Sequence, residues 1–210
     1  MGRGKPSRSL SHAMPAEYDL LANELIRAVE LLAEVFAARS IRYALVGGLA
    51  TLLRGRPRFT QDVDVLLDVP QLALPGLLDE LARRGFIFDA TTVIREYVRE
   101  HLTAMRYGFV RIDWLKPVLP LYAHTLADAS FVTWTEGHRL RVAGPEGLIL
   151  TKMVSFRPQD QQDIETLLIA NRNEIDVVLI RREWSSVAEG EEARSAWLED
   201  AISRLVPLRG

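Results

Sequence analysis

Hydrophobic positions along this chain switch between helical and strand spacing, and the switches mark its elements. From Glu17 to Arg39, Leu21, Leu25, Ala28, Val29, Leu32 and Phe36 recur three and four apart, one apolar stripe of a helix. Arg42 to Val46 is a short apolar and aromatic run closed by Gly47-Gly48, after which Leu49 to Arg54 reads as a helix. The pattern predicts strand, glycine turn and helix in close succession. Gly55 to Thr60 is a basic loop, and Asp62 to Val69 predicts a Val- and Leu-rich strand stopped by Pro70. Pro75 at a helix N1 position and Gly85 at C′ frame a helix through Leu77, Leu78 and Leu81. Leu102–Tyr107 and Val110–Leu115 read as strands joined at Gly108, and 129–143 holds alternating segments around Glu136-Gly137. Helical patterns follow from Pro145 to about Phe156, from Pro158 to about Ala170, and over 174–184 and 191–205.

Strands that come early and mixed with helices predict an α+β fold. The chain divides into a loose arm over 1–15 (rich in Gly, Ser, Pro and Arg), an α/β core over 16–143, and a C-terminal helical part over 144–210 packed on that core.

Composition narrows the function classes. With 210 residues, 48% hydrophobic and 26% charged, the chain can bury a core without staples and is neither a disordered nor a collagen-like sequence. A formal charge of -2 excludes a whole-surface polycation but leaves room for a local basic groove. The absence of cysteine excludes disulfides, thiolate metal sites and thiol nucleophiles. No apolar run reaches the ~18–20 residues of a spanning helix, and the arm lacks the apolar region of a signal peptide. A soluble, cytoplasmic protein without a membrane partner is expected.

Candidate chemistry begins with Asp62 and Asp64. One residue apart on a strand, they share a face while Val63 and Val65 share the other. Two readings are open: a strand edge where both carboxylates meet water, or a pair compensated by a divalent cation such as Mg²⁺, which takes hard oxygen ligands. Two neighbours favour the second. Asp113 is a lone acid in the strand-like Arg111-Ile112-Asp113-Trp114-Leu115, and the Gly47-Gly48 turn opens a helix whose free N–H groups favour phosphate. Three strand carboxylates beside such a turn are what two-metal phosphoryl or nucleotidyl transfer requires.

Ala44-Leu45-Val46-Gly47-Gly48-Leu49-Ala50, followed by Arg58-Phe59-Thr60-Gln61-Asp62-Val63-Asp64, resembles the signature of the polymerase-β-type nucleotidyltransferase superfamily. That signature is a strand, a Gly-Gly or Gly-Ser turn, a helix, and a second strand carrying Asp-x-Asp; Asp113 matches its third acid. Pro145-Glu146-Gly147-Leu148-Ile149-Leu150-Thr151-Lys152, then Arg157-Pro158-Gln159-Asp160-Gln161-Gln162-Asp163-Ile164, is similar to the branch of abortive-infection (AbiEii-like) and toxin–antitoxin nucleotidyltransferases. The likeness spans roughly residues 17 to 170.

The resemblance implies a polymerase-β-like mixed sheet backed by helices. It implies Mg²⁺, or Mn²⁺ in its place, held by Asp62, Asp64 and Asp113. The implied activity moves an NMP from an NTP to a hydroxyl of tRNA, another RNA or a protein, releasing pyrophosphate. Asp62, Asp64, Asp113 and Lys152 would be catalytic. Gly47, Gly48, Arg58, Thr60, Lys152, Arg157 and Asp163 would contact the nucleotide. A toxin role would add a cognate antitoxin as partner. Leu49 departs from the pattern, because many members carry Ser or Thr there to help hold the triphosphate. That departure supports the contrasting expectation of a non-catalytic nucleotide-binding or partner-binding module.

The remaining charged residues read in two ways each. Lys152, among Leu148, Ile149, Met153 and Val154, is either a lysine with a solvated head or a cation of the site, and its replacement by Ala is expected to leave the fold intact. Asp160 and Asp163 stabilise a helix start; the resemblance adds that Asp163 holds Lys152 or binds a substrate group. Arg54, Arg56 and Arg58 either solubilise a loop or line a mouth suited to a polyanion. The four histidines show no ligand spacing, and Trp134, Trp184 and Trp197 fit core or interface positions.

Overall fold

The computed structural model describes residues 16–55 and 60–207. The arm and two of the three expected mouth arginines, Arg56 and Arg58, lie outside the described residues. The elements run α1 (Ala16–Ala38), β1 (Arg42–Val46), α2 (Gly47–Arg54), β2 (Asp62–Asp68), α3 (Leu74–Arg83), α4 (Ala90–Arg99), β3 (Leu102–Tyr107), β4 (Val110–Leu115), α5 (Pro120–Asp128), β5 (Ser130–Thr135), β6 (His138–Val142), α6 (Pro145–Ser155), α7 (Pro158–Asn171), α8 (Val177–Ser185) and α9 (Glu192–Leu205). Six strands form one mixed sheet in the order β3-β4-β2-β1-β6-β5. The α+β expectation holds, as a mixed sheet backed by helices.

The elements follow the apolar spacing closely, including the hairpin at Gly108 and the helix framed by Pro75 and Gly85. Two helices lie where the pattern predicts none. Helix α4 opens with Ala90-Thr91-Thr92-Val93-Ile94, a β-branched run with weak helix propensity. Asp89 secures its start by accepting the Thr92 N–H at 2.7 Å. Packing then decides: Val93 and Tyr97 are buried, and the Tyr97 hydroxyl donates to the Leu67 carbonyl at 2.5 Å. Helix α5 starts at Pro120, a residue pre-set for N1.

One face of the sheet is wholly apolar in its centre. Val63, Val65, Ile112 and Trp114 are all 0% exposed, and the Trp114 ring meets Phe36 of α1 at 6.2 Å and Tyr97 of α4 at 6.4 Å. The other face carries α2 and α5, over which α6 packs, with α7 and α8 against α6 and α9 against α7. Because successive strand side chains alternate, burying Val63, Val65, Ile112 and Trp114 on the first face turns Asp62, Asp64 and Asp113 to the second.

Gly47 fixes how tightly the β1–α2 turn sits on β2. Its φ is +64°, and a Cβ there would lie 1.8 Å from Asp64 Oδ2. Gly137 has a similar φ of +80° but nothing within 4 Å of a Cβ. Gly47→Ala should therefore cost roughly 2–5 kcal/mol, left-handed strain plus a collision with a carboxylate. Gly137→Ala should cost only the strain, about 1–2 kcal/mol. Urea unfolding of both variants checks the difference; equal losses would show that the close approach to Asp64 carries no weight.

Candidate active site

Strand pairing assembles the acids. β2 and β4 run parallel with Asp62 opposite Arg111 and Asp64 opposite Asp113, while β1 runs antiparallel to β2 with Val46 opposite Asp64. Asp64 and Asp113 are thus direct neighbours on strands about 4.8 Å apart. They line a groove of about 530 Å³ together with Asp62, Gly47, Gly48, Thr60, Tyr122, Lys152 and Arg157. The expected triad and glycine turn share one groove. Leu49, by contrast, is 1% exposed and packs in the core, so it neither blocks the turn nor reaches the groove.

Burial and like charge both raise the proton affinity of the acids, burial the more. Burial pushes the Asp64 carboxyl up to about 6, with the Asp113 charge adding to the rise; the Gly48 N–H and the Lys152 charge pull the other way. Asp113 is also raised, by burial first, with Arg111 partly offsetting it and Asp62 adding to it. The Arg111 Nε donates to both Asp113 oxygens, at 2.9 and 3.1 Å. Asp62 is exposed, and the Thr60 hydroxyl donates to its carbonyl at 3.4 Å.

Lys152 lines the groove but is fully committed. Its Nζ lies 2.6 Å from Asp163 Oδ2 and 3.5 Å from Asp160 Oδ1, with all three side chains no more than 5% exposed. Asp163 accepts from Lys152, the contact named by the first of the two roles considered for it. Asp160 in turn accepts the Arg157 Nε at 2.8 Å and the Arg157 N–H at 3.0 Å, capping α7. Burial pushes Asp160 up, but these bonds and the Lys152 charge outweigh it and hold the carboxyl below its ordinary range. Arg157 itself is mostly solvent-facing, its side chain 74% exposed at the groove.

Arg54 departs from expectation. It is half-buried, and its guanidinium donates to the Ala143 and Val142 carbonyls, both at 3.2 Å, and to Ser130 at 2.6 Å. It ties the end of α2 to the end of β6 instead of lining the mouth. Tyr122 at the groove and Arg111 beside Asp113 carry no role in the sequence expectations. Arg111 was legible in principle, since residues two apart on a strand share a face and Arg111 precedes Asp113 by two. Tyr122 was not, because its helix was not predicted.

Among the described residues, no group of three or more His, Cys, Asp or Glu side chains is arranged to hold a metal ion. The triad shares a groove without forming such a group, and the Arg111 Nε donates to both Asp113 oxygens. The chemistry of the donor set nevertheless fits a hard divalent cation: paired carboxylate oxygens whose mutual repulsion a cation would relieve.

Two consequences follow for stability. An acid whose folded value is raised makes the fold bind protons more tightly than the unfolded chain, so stability falls as pH rises from the ordinary 3.8 to about 6 and is level above that. Asp64→Asn keeps an acceptor for Gly48 and should raise stability by about 3 kcal/mol at pH 7.5, with the gain vanishing below about pH 4. Urea unfolding across that range tests it, and a gain independent of pH would refute the electrostatic cause. Lys152→Ala removes the buried cation that pairs with Asp163 and Asp160 and should destabilise by about 3–5 kcal/mol, contrary to the expectation that the fold tolerates it. A loss under about 1 kcal/mol would mean the ion cluster is not structural.

No protein-family model matches the chain, and no curated protein matches it. Among solved structures, it is similar to an antigenic nucleotidyltransferase-like protein from Paracoccidioides brasiliensis, at 19% identity over 85% of this chain and 93% of that one, with a TM-score of 0.46. It is similar to the antibiotic-resistance factor ANT(2'')-Ia at 16% identity over 91% and 100% of the two chains, TM-score 0.46. It is also similar to the lincosamide antibiotic adenylyltransferase LnuA at 15% identity over 69% and 94%, TM-score 0.45. Likeness at this level assigns the chain no activity, and the function proposed below stands on the residues of the groove.

Proposed function

We propose that the chain is a divalent-cation-dependent nucleotidyltransferase of the polymerase-β type, moving an NMP from an NTP to a hydroxyl acceptor with release of pyrophosphate. The observation that carries this reading is the register of Asp64 with Asp113 on neighbouring parallel strands, facing the Gly47-Gly48 turn in one groove. The motif resemblance adds the branch, with a tRNA, another RNA or a protein hydroxyl as acceptor and a toxin role beside a cognate antitoxin.

Each residue has a task its surroundings support. Helix α2 starts without a side-chain cap, so its first-turn N–H groups are available to phosphate oxygens, except the Gly48 N–H that Asp64 takes. Arg157, largely exposed at the groove, adds positive charge for the phosphates. A divalent cation held by Asp64 and Asp113, with Asp62 beside them, would neutralise triphosphate charge and acidify the acceptor hydroxyl. Asp113 is the residue placed to take the hydroxyl proton, and burial, by raising its proton affinity, suits it to that task. Lys152 acts by position: its charge is balanced by Asp163 and Asp160, and it holds α6 and α7 behind the acids.

Incubating the protein with each labelled NTP, Mg²⁺, total tRNA and cell extract should release pyrophosphate and label one macromolecular class. Asp113→Asn should lower release by at least about 10³-fold while melting near the parent temperature. The competing reading, a non-catalytic nucleotide-binding or partner-binding module, draws on Leu49, which stands where the resembling pattern often carries Ser or Thr. NTP binding with no pyrophosphate release from any acceptor decides for that module.

A further inference from the structure

Arg111 stands out among the cations near the acids by where its charge is spent. Lys152 is locked between buried acids and Arg157 caps α7 through Asp160. Arg111 instead lies on one of the acids proposed to hold the cation. It leaves β4 on the same face as Asp113, its Nε donates to both Asp113 oxygens at 2.9 and 3.1 Å, and the strand register sets it opposite Asp62. The guanidinium thus stands on Asp113, on a residue paired with Asp62 of the neighbouring strand. Its own side chain is 51% exposed while that of Asp113 is 19% exposed, so the arginine can swing into water and the acid cannot follow it.

Resting on the reading of the groove as a divalent-cation site, we propose that Arg111 is a tethered counter-cation that competes with the divalent ion for Asp113, so that loading the site requires Arg111 to leave. The physical ground is that both Asp113 oxygens are already engaged by a donor. An ion approaching them meets a positive charge a few ångströms away, in a half-buried setting where repulsion is less screened than in bulk water. In return, Arg111 partly offsets the repulsion between Asp113 and its acidic neighbours when no ion is bound. Arg111 thereby sets the ion concentration at which the groove becomes competent. A preorganising role, with Arg111 holding Asp113 in place for the ion, makes the opposite prediction.

The test is direct Mn²⁺ binding to the full chain without nucleotide, read as free Mn²⁺ by electron paramagnetic resonance. Asp64→Asn reports what binds outside the groove, and melting in EDTA is the folding control. Arg111→Ala should bind Mn²⁺ roughly 5- to 50-fold more tightly than the parent, through the loss of one nearby positive charge. Arg111→Gln, which keeps bulk and hydrogen bonding but no charge, should tighten binding similarly and serves if the alanine variant folds poorly. Unchanged or weaker binding in a folded variant, with the parent still binding, overturns the role of Arg111 and leaves the cation site standing. No groove-specific Mn²⁺ binding by the parent or either variant at millimolar ion overturns both.

Discussion

The pairing of β2 with β4 in parallel, with Asp64 directly beside Asp113, is the constraint from which the site's electrostatics follow. The register is pinned from the opposite face, where Val63, Val65, Ile112 and Trp114 are sealed under α1 and α4. A slip of one residue on either strand would move a carboxylate into that apolar layer and a valine or tryptophan into the groove. The core therefore enforces a juxtaposition that charge alone would oppose.

Compensation for that juxtaposition comes from several directions. The Gly48 N–H serves Asp64, and Gly47 lets the turn approach closely enough to deliver it. Arg111 serves Asp113 from the same strand. Lys152 contributes at longer range, its charge lowering Asp64 while its contacts go to Asp163 and Asp160. Asp64 still rises to about 6, through burial first and the charges of Asp113 and Asp62 after it, so these contacts offset the cost only in part. A groove that retains such repulsion is one in which a bound cation has much to relieve.

The Lys152–Asp160–Asp163 cluster has a second consequence. It joins α6 to the start of α7, and Arg157 extends it to the groove wall. Buried ion clusters contribute little net stability when intact but cost a great deal when one partner is lost. The helical part is thereby coupled to the acids: a disturbance at α7 reaches Lys152, and Lys152 reaches Asp64.

Local pattern alone determined most of the elements, since α1, β2, the two hairpins and the last four helices follow from apolar spacing and from glycine and proline punctuation. It also determined that Asp62 and Asp64 share a face, because strand alternation is a local property. Helix α4 was beyond its reach: Thr91, Thr92 and Val93 favour strands locally, and burial of Val93 and Tyr97 overrode them. Tertiary structure decided which strands are neighbours and hence that Asp113 stands beside Asp64, that Lys152 is spent on Asp163 and Asp160, and that Arg54 braces β6. A charged side chain's partner is fixed by positions distant in the chain, and spacing along one segment carries no information about it.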